Sequence, residues 1–64
     1  MEEQPLGPIE ALKVALKLEI EAAEFYKRHI VHGSMAADVF QFLVNEEVRH
    51  RLLIEKKIQE LTKV

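Results

Sequence analysis

Apolar residues recur at alternating three- and four-residue steps along two long segments of the chain, on either side of His32-Gly33-Ser34. This spacing puts them on one stripe of an α-helix and is typical of the contact seam of a helix bundle. The first stripe contains Leu12, Leu16, Glu19, Ala23, Tyr26 and Ile30, and the second contains Ala36, Phe40, Leu43, Glu47, His50, Ile54, Lys57 and Leu61. The pattern predicts an all-α fold of two amphipathic helices.

Proline and glycine mark the ends of these helices. Pro8 suits the first helical position, because its missing N–H would be unpaired there in any residue. Gly33 can adopt the left-handed conformation that ends a helix, and Ser34 can cap the helix that follows. The predicted elements are a flexible lead over residues 1–7 and a single domain over 8–64, with a first helix at about 8–32, a turn at 33–34 and a second helix at about 35–63.

The short connection makes the two helices antiparallel neighbours, which is an αα-hairpin. Further apolar residues flank the two stripes: Leu18, Phe25, Val44, Val48, Leu52, Leu53 and Ile58. One partner helix cannot cover a face this wide, whereas two can. We therefore expect two hairpins to associate into a four-helix bundle, with at least one further copy of the chain as partner.

Composition narrows the classes of protein and of site. The chain has 64 residues and no cysteine, which excludes disulfides, thiolate metal sites and thiol catalysis. Nine basic and eleven acidic residues are mixed along it, so no basic patch indicates nucleic-acid binding. No apolar run approaches the roughly 20 residues of a membrane span, and the N-terminus is unlike a signal peptide. A soluble, cytoplasmic protein is expected.

Four polar residues interrupt the predicted seam at mid-helix: Glu19, Tyr26, Glu47 and His50. A carboxylate taken out of water is costly unless it is paired or bound to a metal. The turn at 33–34 puts Glu19 and Glu47 side by side, and His50 follows Glu47 by one helical turn. The polar residues are therefore expected to form one cluster.

Two hairpins related by a two-fold axis would bring four glutamates and two histidines to one place. Carboxylate and imidazole ligands together suit Fe, Mn or Zn, and bridging carboxylates allow two cations to lie close together. Glutamate from two helices with Glu-x-x-His from the other two is the ligand set of ferritin-like di-metal bundles. The pattern therefore favours a shared two-metal site.

The segments EIEAAEFY at 19–26 and EVRH at 47–50 resemble one half of a rubrerythrin or ferritin-like domain, and the resemblance covers about residues 9–62. Such families usually hold both halves in one polypeptide, so a single half is similar to the encapsulated ferritins, which build a di-iron site between subunits. The resemblance implies that Glu19, Glu47 and His50 are metal ligands. It also implies that Tyr26 donates a hydrogen bond to a ligand carboxylate.

The activity implied by this resemblance is that of a non-haem di-iron protein with two Fe per dimer, Mn or Zn being alternatives. It would oxidise Fe(II) with O₂ or peroxide, as a ferroxidase, a peroxidase-type oxidoreductase or an iron-handling protein. The chain lacks the cysteines of a rubredoxin-like centre, so an external reductant is expected. Two alternatives remain open: a non-enzymatic oligomerisation module with a structural metal such as Zn, and a metal-free bundle whose Glu and His residues pair with one another.

The other charged and aromatic residues are expected to have structural roles. His29, Arg49 and Arg51 are predicted to lie on the solvated surface, and Glu46 at the edge of the bundle. The phenylalanines Phe25, Phe40 and Phe42 are predicted to be core or subunit-contact residues.

Overall fold

The computed structural model describes residues 6–33 and 35–63, so most of the predicted lead lies outside the described residues. It contains two α-helices, α1 (Pro8–Val31) and α2 (Ala37–Thr62), and no strand in the described ranges. The two helices pack against each other as a hairpin. The prediction of an all-helical hairpin is confirmed.

The start of α1 follows from the residues at its N-terminus. Gly7 is the N-cap, Pro8 occupies the first helical position, and the Ala11 N–H donates to the Gly7 carbonyl at 2.9 Å. Glu10 lies in the first turn, where a carboxylate interacts favourably with the positive end of the helix dipole. The first helix therefore begins where the sequence predicted.

The C-terminus of α1 is closed by backbone hydrogen bonds from two residues beyond the helix. The N–H groups of His32 and Gly33 donate to the carbonyls of Arg28 and Ile30, at 3.2 and 3.0 Å. Gly33 has φ +70°, in the left-handed region that glycine adopts without the steric cost of a Cβ. Gly33 thus ends the helix as its sequence position predicted.

Replacing Gly33 by alanine is expected to destabilise the protein by about 1–2 kcal/mol, since an L side chain is disfavoured at this φ. A Cβ there would meet no atom within 4 Å, so the loss would come from the backbone conformation alone. Urea unfolding would measure the change. Gly7→Ala is the matched control: its φ is −63°, and a Cβ would meet only the flexible Glu10 side chain. An equal loss in both variants would contradict this explanation.

The second helix begins two residues later than the sequence suggested. Ala36 is its N-cap, and the Ala36 carbonyl accepts a hydrogen bond from the Phe40 N–H at 3.0 Å. Alanine has no side-chain oxygen, so the first turn of α2 has no side-chain cap, although Asp38 supplies a favourable negative charge. The predicted cap, Ser34, lies outside the described residues.

The hairpin is a single layer of two helices. Its principal extents are 45 × 34 × 12 Å, and the smallest is about the diameter of one helix with its side chains. Ala23 and Val44 are the buried apolar residues of the described ranges. Because stable domains are built from at least two packed layers, each broad face of this hairpin lacks the second layer that would bury it.

The residues that line the contact between the helices differ in part from the predicted seam. Val44, Glu47, Arg51, Ile54 and Ile58 of α2 face α1 and are buried or half-buried. Lys57 and Leu61, which the predicted seam included, are exposed. The two sets share Glu47 and Ile54 and differ by one position elsewhere, because α2 is rotated about its own axis so that Arg51 and Ile58 enter the contact.

Many large apolar side chains remain exposed on the described hairpin, including Val14, Leu18, Phe25, Val39, Phe42, Val48, Leu52 and Leu53. Charged residues interrupt them along both helices. Within 6–33 and 35–63, neither helix contains a stretch apolar enough to cross a bilayer.

Candidate metal centre

Three of the predicted site residues lie together at the middle of the hairpin. Glu19 projects from α1, whereas Glu47 and His50 project from α2, one turn apart. His50 Nδ1 lies 3.4 Å from Glu19 Oε2 and 3.7 Å from Glu47 Oε1. One potential ligand atom from each residue lies within 4.8 Å of the other two. The structure therefore brings together a Glu–Glu–His cluster.

The spacing of these atoms suits a transition metal. Metal–ligand bonds of about 2.0–2.2 Å put neighbouring ligand atoms about 3–4 Å apart. The distances in the cluster are within or slightly beyond this range, so small side-chain rotations would close it around a cation. Three protein ligands leave coordination positions open, which is typical of catalytic sites, whereas structural zinc sites usually have four protein ligands.

The two carboxylates are partly removed from water while the imidazole is accessible. The exposed fraction of the side chain is 26% for Glu19, 13% for Glu47 and 50% for His50. Since His50 is half-exposed, one side of the cluster is open to a broad face of the hairpin. No enclosed pocket exists in the described part of the chain, so the cluster lies in an open seam.

One oxygen of the cluster lacks a hydrogen-bond donor. Glu19 Oε2 is buried, and no group of the described residues donates to it. Its 3.4 Å contact with His50 Nδ1 is an ion-pair distance without hydrogen-bond geometry, so that contact does not satisfy the oxygen. A buried acceptor without a donor is costly, and a cation at this position would remove the cost. The donor set and this oxygen therefore fit a metal.

Tyr26 lies two turns from Glu19 on α1 and is not part of the cluster. Its ring stacks on Phe40 at 5.9 Å and contacts Phe25 edge-on at 5.9 Å. In the described ranges, no hydrogen bond joins its hydroxyl to a ligand carboxylate. The role of Tyr26 as a donor to a metal ligand stays a prediction.

His29 is exposed, as the sequence predicted, but its ring has aromatic neighbours. It stacks on Phe40 at 5.0 Å and lies against Phe25 at 4.7 Å. It therefore belongs to an aromatic cluster near the turn, away from the Glu–Glu–His cluster.

Glu46 precedes Glu47 in the sequence, but its charge is neutralised by Arg49. Arg49 Nη1 lies 3.3 Å from Glu46 Oε1 and donates a hydrogen bond to it. Glu46 is half-buried, and Arg49 is exposed as predicted. This ion pair lies beside the three candidate ligands and contributes no atom to them.

Arg51 is the residue near the site that the sequence-based prediction misplaced. It was expected on the solvated surface, but it is half-buried, and its buried Nε has no hydrogen-bond partner in the described ranges. Arg51 follows Glu47 by four residues, so a strict 3.6-residue period would have placed it on the same face of α2. The four-residue spacing from Glu47 is therefore the feature of the sequence that could have predicted the position of Arg51.

Comparison of the chain with protein-family models, curated protein sequences and solved structures finds no match. The fold and the site describe the protein as a two-helix hairpin with two carboxylates and one imidazole gathered in its seam. Any conclusion about function therefore rests on these residues.

Proposed function

We propose that this chain is one half of a non-haem two-metal protein, in which Glu19, Glu47 and His50 bind iron and two copies share the centre. The observation that carries the proposal is the convergence of these three side chains from facing helices to within 4.8 Å. The expected reaction is oxidation of Fe(II) to Fe(III), with O₂ or peroxide as the electron acceptor. Such a reaction would serve as ferroxidase, peroxide-removing or iron-handling chemistry.

The charges around the cluster support a bound cation. Glu19 and Glu47 are partly buried, and His50 is the one basic side chain of the described residues that lies at ion-pair distance from either. Ionised carboxylates held out of water without a cation are unfavourable. A divalent cation would neutralise both at once.

The ligand types and the sequence resemblance together favour iron. Imidazole with carboxylate suits Fe, Mn or Zn, and no thiolate is available in this cysteine-free chain to favour another metal. The resemblance to rubrerythrin and ferritin-like domains adds a preference for iron. Bound iron supplies one-electron redox chemistry, whereas the chain holds the carboxylates and imidazole in place and leaves a position accessible to the oxidant.

The size of the exposed surface supports a second copy. A compact monomer of this mass exposes about 4,200 Å². The whole chain exposes 5455 Å², and the excess is larger than the roughly 800 Å² that each partner buries in a standard interface. Covering one broad face would therefore give a two-layer bundle of ordinary compactness.

Helix geometry shows which broad face contains the open side of the cluster. Because the helices are right-handed and antiparallel, residues at the same offset from Glu19 and Glu47 lie on the same side of the hairpin. His50 therefore lies on the side that carries an apolar set which we call the His50 face, namely Val14, Leu18, Phe25, Phe42 and Leu53. The opposite side, which we call the Ile20 face, carries Ile20, Val48 and Leu52.

The two faces differ in the size of their apolar residues. The His50 face exposes two phenylalanines and two leucines. Both faces carry charged residues: Lys57 and Glu60 pair with each other on the His50 face, and Lys13, Lys27 and Glu55 lie beside the smaller apolar set of the Ile20 face. Apolar contact area and the half-exposed imidazole thus coincide on one face. This coincidence favours docking of the second copy on the His50 face.

An anaerobic titration of metal-free protein with Fe(II) tests the proposed function. We expect saturation near one iron per chain, because two hairpins share two metals. Exposure of the loaded protein to O₂ or peroxide should then produce near-ultraviolet absorbance typical of Fe(III). Absence of Fe(II) binding, or binding that survives replacement of all three ligands, would overturn the proposal.

A metal-free bundle is the second candidate, because His50 Nδ1 contacts both carboxylates directly. In that case the cluster would be an internal ion network of the hairpin or its assembly. The two candidates differ in the effect expected when a ligand is replaced by an apolar residue: a metal site loses its metal-induced stabilisation, whereas a metal-free cluster has none to lose.

A further inference from the structure

The imidazole of His50 uses one of its two ring nitrogens within the hairpin. His50 Nδ1 lies 3.4 Å from Glu19 Oε2 and 3.7 Å from Glu47 Oε1, so this nitrogen is directed into the seam. The other nitrogen, Nε2, lies across the ring and is directed toward the His50 face, where no group of the described residues accepts a hydrogen bond from it. A histidine that binds a metal almost always donates its second N–H to a carboxylate, a carbonyl or water. The hairpin alone therefore lacks the acceptor that would hold this ring in place.

Charged groups are distributed unequally between the two helices of the His50 face. At the helical offsets that define this face, α2 carries Glu46, His50 and the pair formed by Lys57 and Glu60. On α1, Glu21 lies further out, at the edge of the hairpin. The row of α1 residues on this face is uncharged: Ala11, Val14, Ala15, Leu18, Ala22 and Phe25.

Two identical hairpins can place their His50 faces together in two ways. A two-fold axis parallel to the helices puts α1 of each copy on α2 of the other, whereas an axis across the helices puts like helices together, antiparallel. In the first arrangement, the uncharged row of α1 would cover Glu46 and His50 and leave both polar groups without partners, which is costly. In the second, the apolar rows pack on each other, and the polar rows meet. The distribution of charge therefore favours an axis across the helices.

The position of the Glu–Glu–His cluster along the helices is consistent with such an axis. Glu19 lies at the middle of α1, and His50 lies at the middle of α2. An axis that crosses the hairpin at this level brings the two clusters together and keeps both helices in contact over nearly their whole length. Along α2 it passes about midway between Glu46 and His50. Residues equally far from the axis face each other, so His50 of one copy faces the partner subunit's Glu46.

Glu46 is suited to accept a hydrogen bond from this direction. It is half-buried, and its Oε1 accepts a hydrogen bond from Arg49 Nη1 at 3.3 Å. Its second oxygen, Oε2, takes part in no hydrogen bond of the described ranges, although His50 lies one turn away on the same helix. Arg49 is exposed at the outer edge of α2, so it can stay paired with Glu46 when the two copies associate.

We propose that the two copies associate with like helices facing each other, and that Glu46 of the partner subunit accepts a hydrogen bond from Nε2 of His50. The proposal rests on the proposed function, in which two copies share a metal centre on this face. Glu46 is then a positioning residue, because it fixes the orientation of the His50 ring and leaves Nδ1 unprotonated to bind the metal. Each copy thereby completes the metal site of the other.

Cross-linking tests the arrangement of the helices in this cysteine-free chain. Leu18 lies close to the proposed axis, so two Leu18→Cys chains should form a disulfide between copies when oxidised with diamide. Phe25→Cys is the matched control, since Phe25 lies on the same row two turns away and its counterparts would be about 20 Å apart along the helices. An axis parallel to the helices would keep the two Leu18 residues at opposite corners of the bundle. Cross-linking of Leu18→Cys alone supports the proposal, and its absence, or equal cross-linking of both variants, overturns it.

The role of Glu46 is tested by the affinity for Co(II), which binds similar ligands and is observed by its visible absorbance. Loss of a residue that orients a metal ligand typically weakens metal binding roughly 10–100-fold, and this loss is expected for Glu46→Ala. Glu46→Gln keeps an acceptor oxygen and should recover most of the affinity. Glu60→Ala is the matched control, because Glu60 forms the same kind of ion pair, with Lys57 at 2.8 Å, further from the axis. It should bind Co(II) as tightly as the unmodified chain.

Proton NMR of the Co(II)-loaded protein observes the hydrogen bond itself. The paramagnetic ion shifts the Nε2 proton of a bound imidazole out of the main spectrum, and this proton exchanges slowly with water while it is hydrogen-bonded. Exchange should be faster in Glu46→Ala. A mixed dimer of Glu46→Ala and His50→Ala chains, purified with two different affinity tags, retains one His50 and one Glu46 on opposite copies. Slow exchange should return in this mixed dimer, whereas a hydrogen bond within one chain would leave exchange fast.

Three further results would overturn the proposal: unchanged Co(II) binding by Glu46→Ala, an equal loss in Glu60→Ala, or fast exchange in the mixed dimer. A role of Glu46 in folding alone would lower the affinity without changing the exchange of the Nε2 proton. Failure of the unmodified chain to bind Co(II) or Fe(II) would instead defeat the proposed function. The cross-linking of Leu18→Cys would then still decide between the two arrangements of the helices.

Discussion

Replacing Glu47 by leucine is expected to abolish metal binding and to remove the rise in melting temperature that metal produces in the unmodified protein. Glu47 is the most buried of the three candidate ligands, and its loss would leave each chain with one carboxylate and one imidazole. A ligand present at one hundred times its Kd stabilises the folded state by about 2.7 kcal/mol. For a chain of this size, that corresponds to a rise of roughly 10–20 °C, which the variant should lose.

The same variant separates the metal-binding proposal from the metal-free alternative. Without metal, Glu47→Leu removes one of two partly buried carboxylates and leaves Glu19 with His50 as its partner, so the variant should melt at the same temperature or higher. Glu55→Leu is the matched control, because Glu55 is an exposed glutamate two turns further along α2. Melting curves with Fe(II) and with chelator, recorded anaerobically, measure both effects. A metal-induced rise that persists in Glu47→Leu would contradict its assignment as a ligand.

Replacing Leu53 by glutamate is expected to dissociate the two-copy assembly, whereas the same change at Leu52 is expected to leave it intact. The two leucines are adjacent and similarly exposed on the hairpin, 70% for Leu53 and 63% for Leu52. The 100° step between successive residues of a helix puts them on opposite faces. Burial of a leucine contributes about 1.5–3 kcal/mol, and a two-fold interface buries it twice. The dimer dissociation constant of Leu53→Glu should therefore rise about 10²–10⁴-fold.

Sedimentation equilibrium of both variants measures this difference, and the Fe(II) stoichiometry should fall in Leu53→Glu together with the dimer. Since loss of the dimer could also unfold the hairpin, single cysteines provide a second measurement in this cysteine-free chain. In the assembled protein, Leu53→Cys should react with a maleimide much more slowly than Leu52→Cys. Equal labelling of the two positions, or a dimer that survives Leu53→Glu, would show that the His50 face is not the interface.

The iron titration and the interface variants report on different parts of the proposal. A dimer that depends on Leu53 but binds no metal would leave the assembly standing and remove the redox chemistry. Metal binding by a monomeric hairpin would instead support the three ligands and contradict a centre shared between two copies, because the ligands of one chain would then suffice.

The helices and the cluster were predictable from the amino-acid sequence. The apolar periodicity, Pro8 and Gly33 together specify two helices joined by a short turn, and a short turn allows only antiparallel neighbours. Once the turn is placed, the level of each residue along the hairpin follows from the rise per residue. For that reason the sequence alone places Glu19 and Glu47 side by side, with His50 one turn away.

The rotation of each helix about its own axis was decided by the tertiary structure. Packing of α2 against α1 turns Arg51 into the seam and leaves Lys57 and Leu61 exposed, because side-chain contacts along the whole interface set this angle. The prediction was therefore right for Glu47 and Ile54, which the predicted and observed contacts share, and wrong by one position for Arg51 and Ile58.

Individual side-chain contacts were also decided by the tertiary structure. The ring of Tyr26 stacks on the ring of Phe40, and Glu46 pairs with the exposed Arg49 and not with a residue of the seam. The sequence by itself determined two helices, their antiparallel order and the level of the three candidate ligands, since these depend on local backbone geometry and chain connectivity. Which side chains enter the seam and which face outward depended on the packing of one helix against the other, because only that contact fixes the helices' rotation.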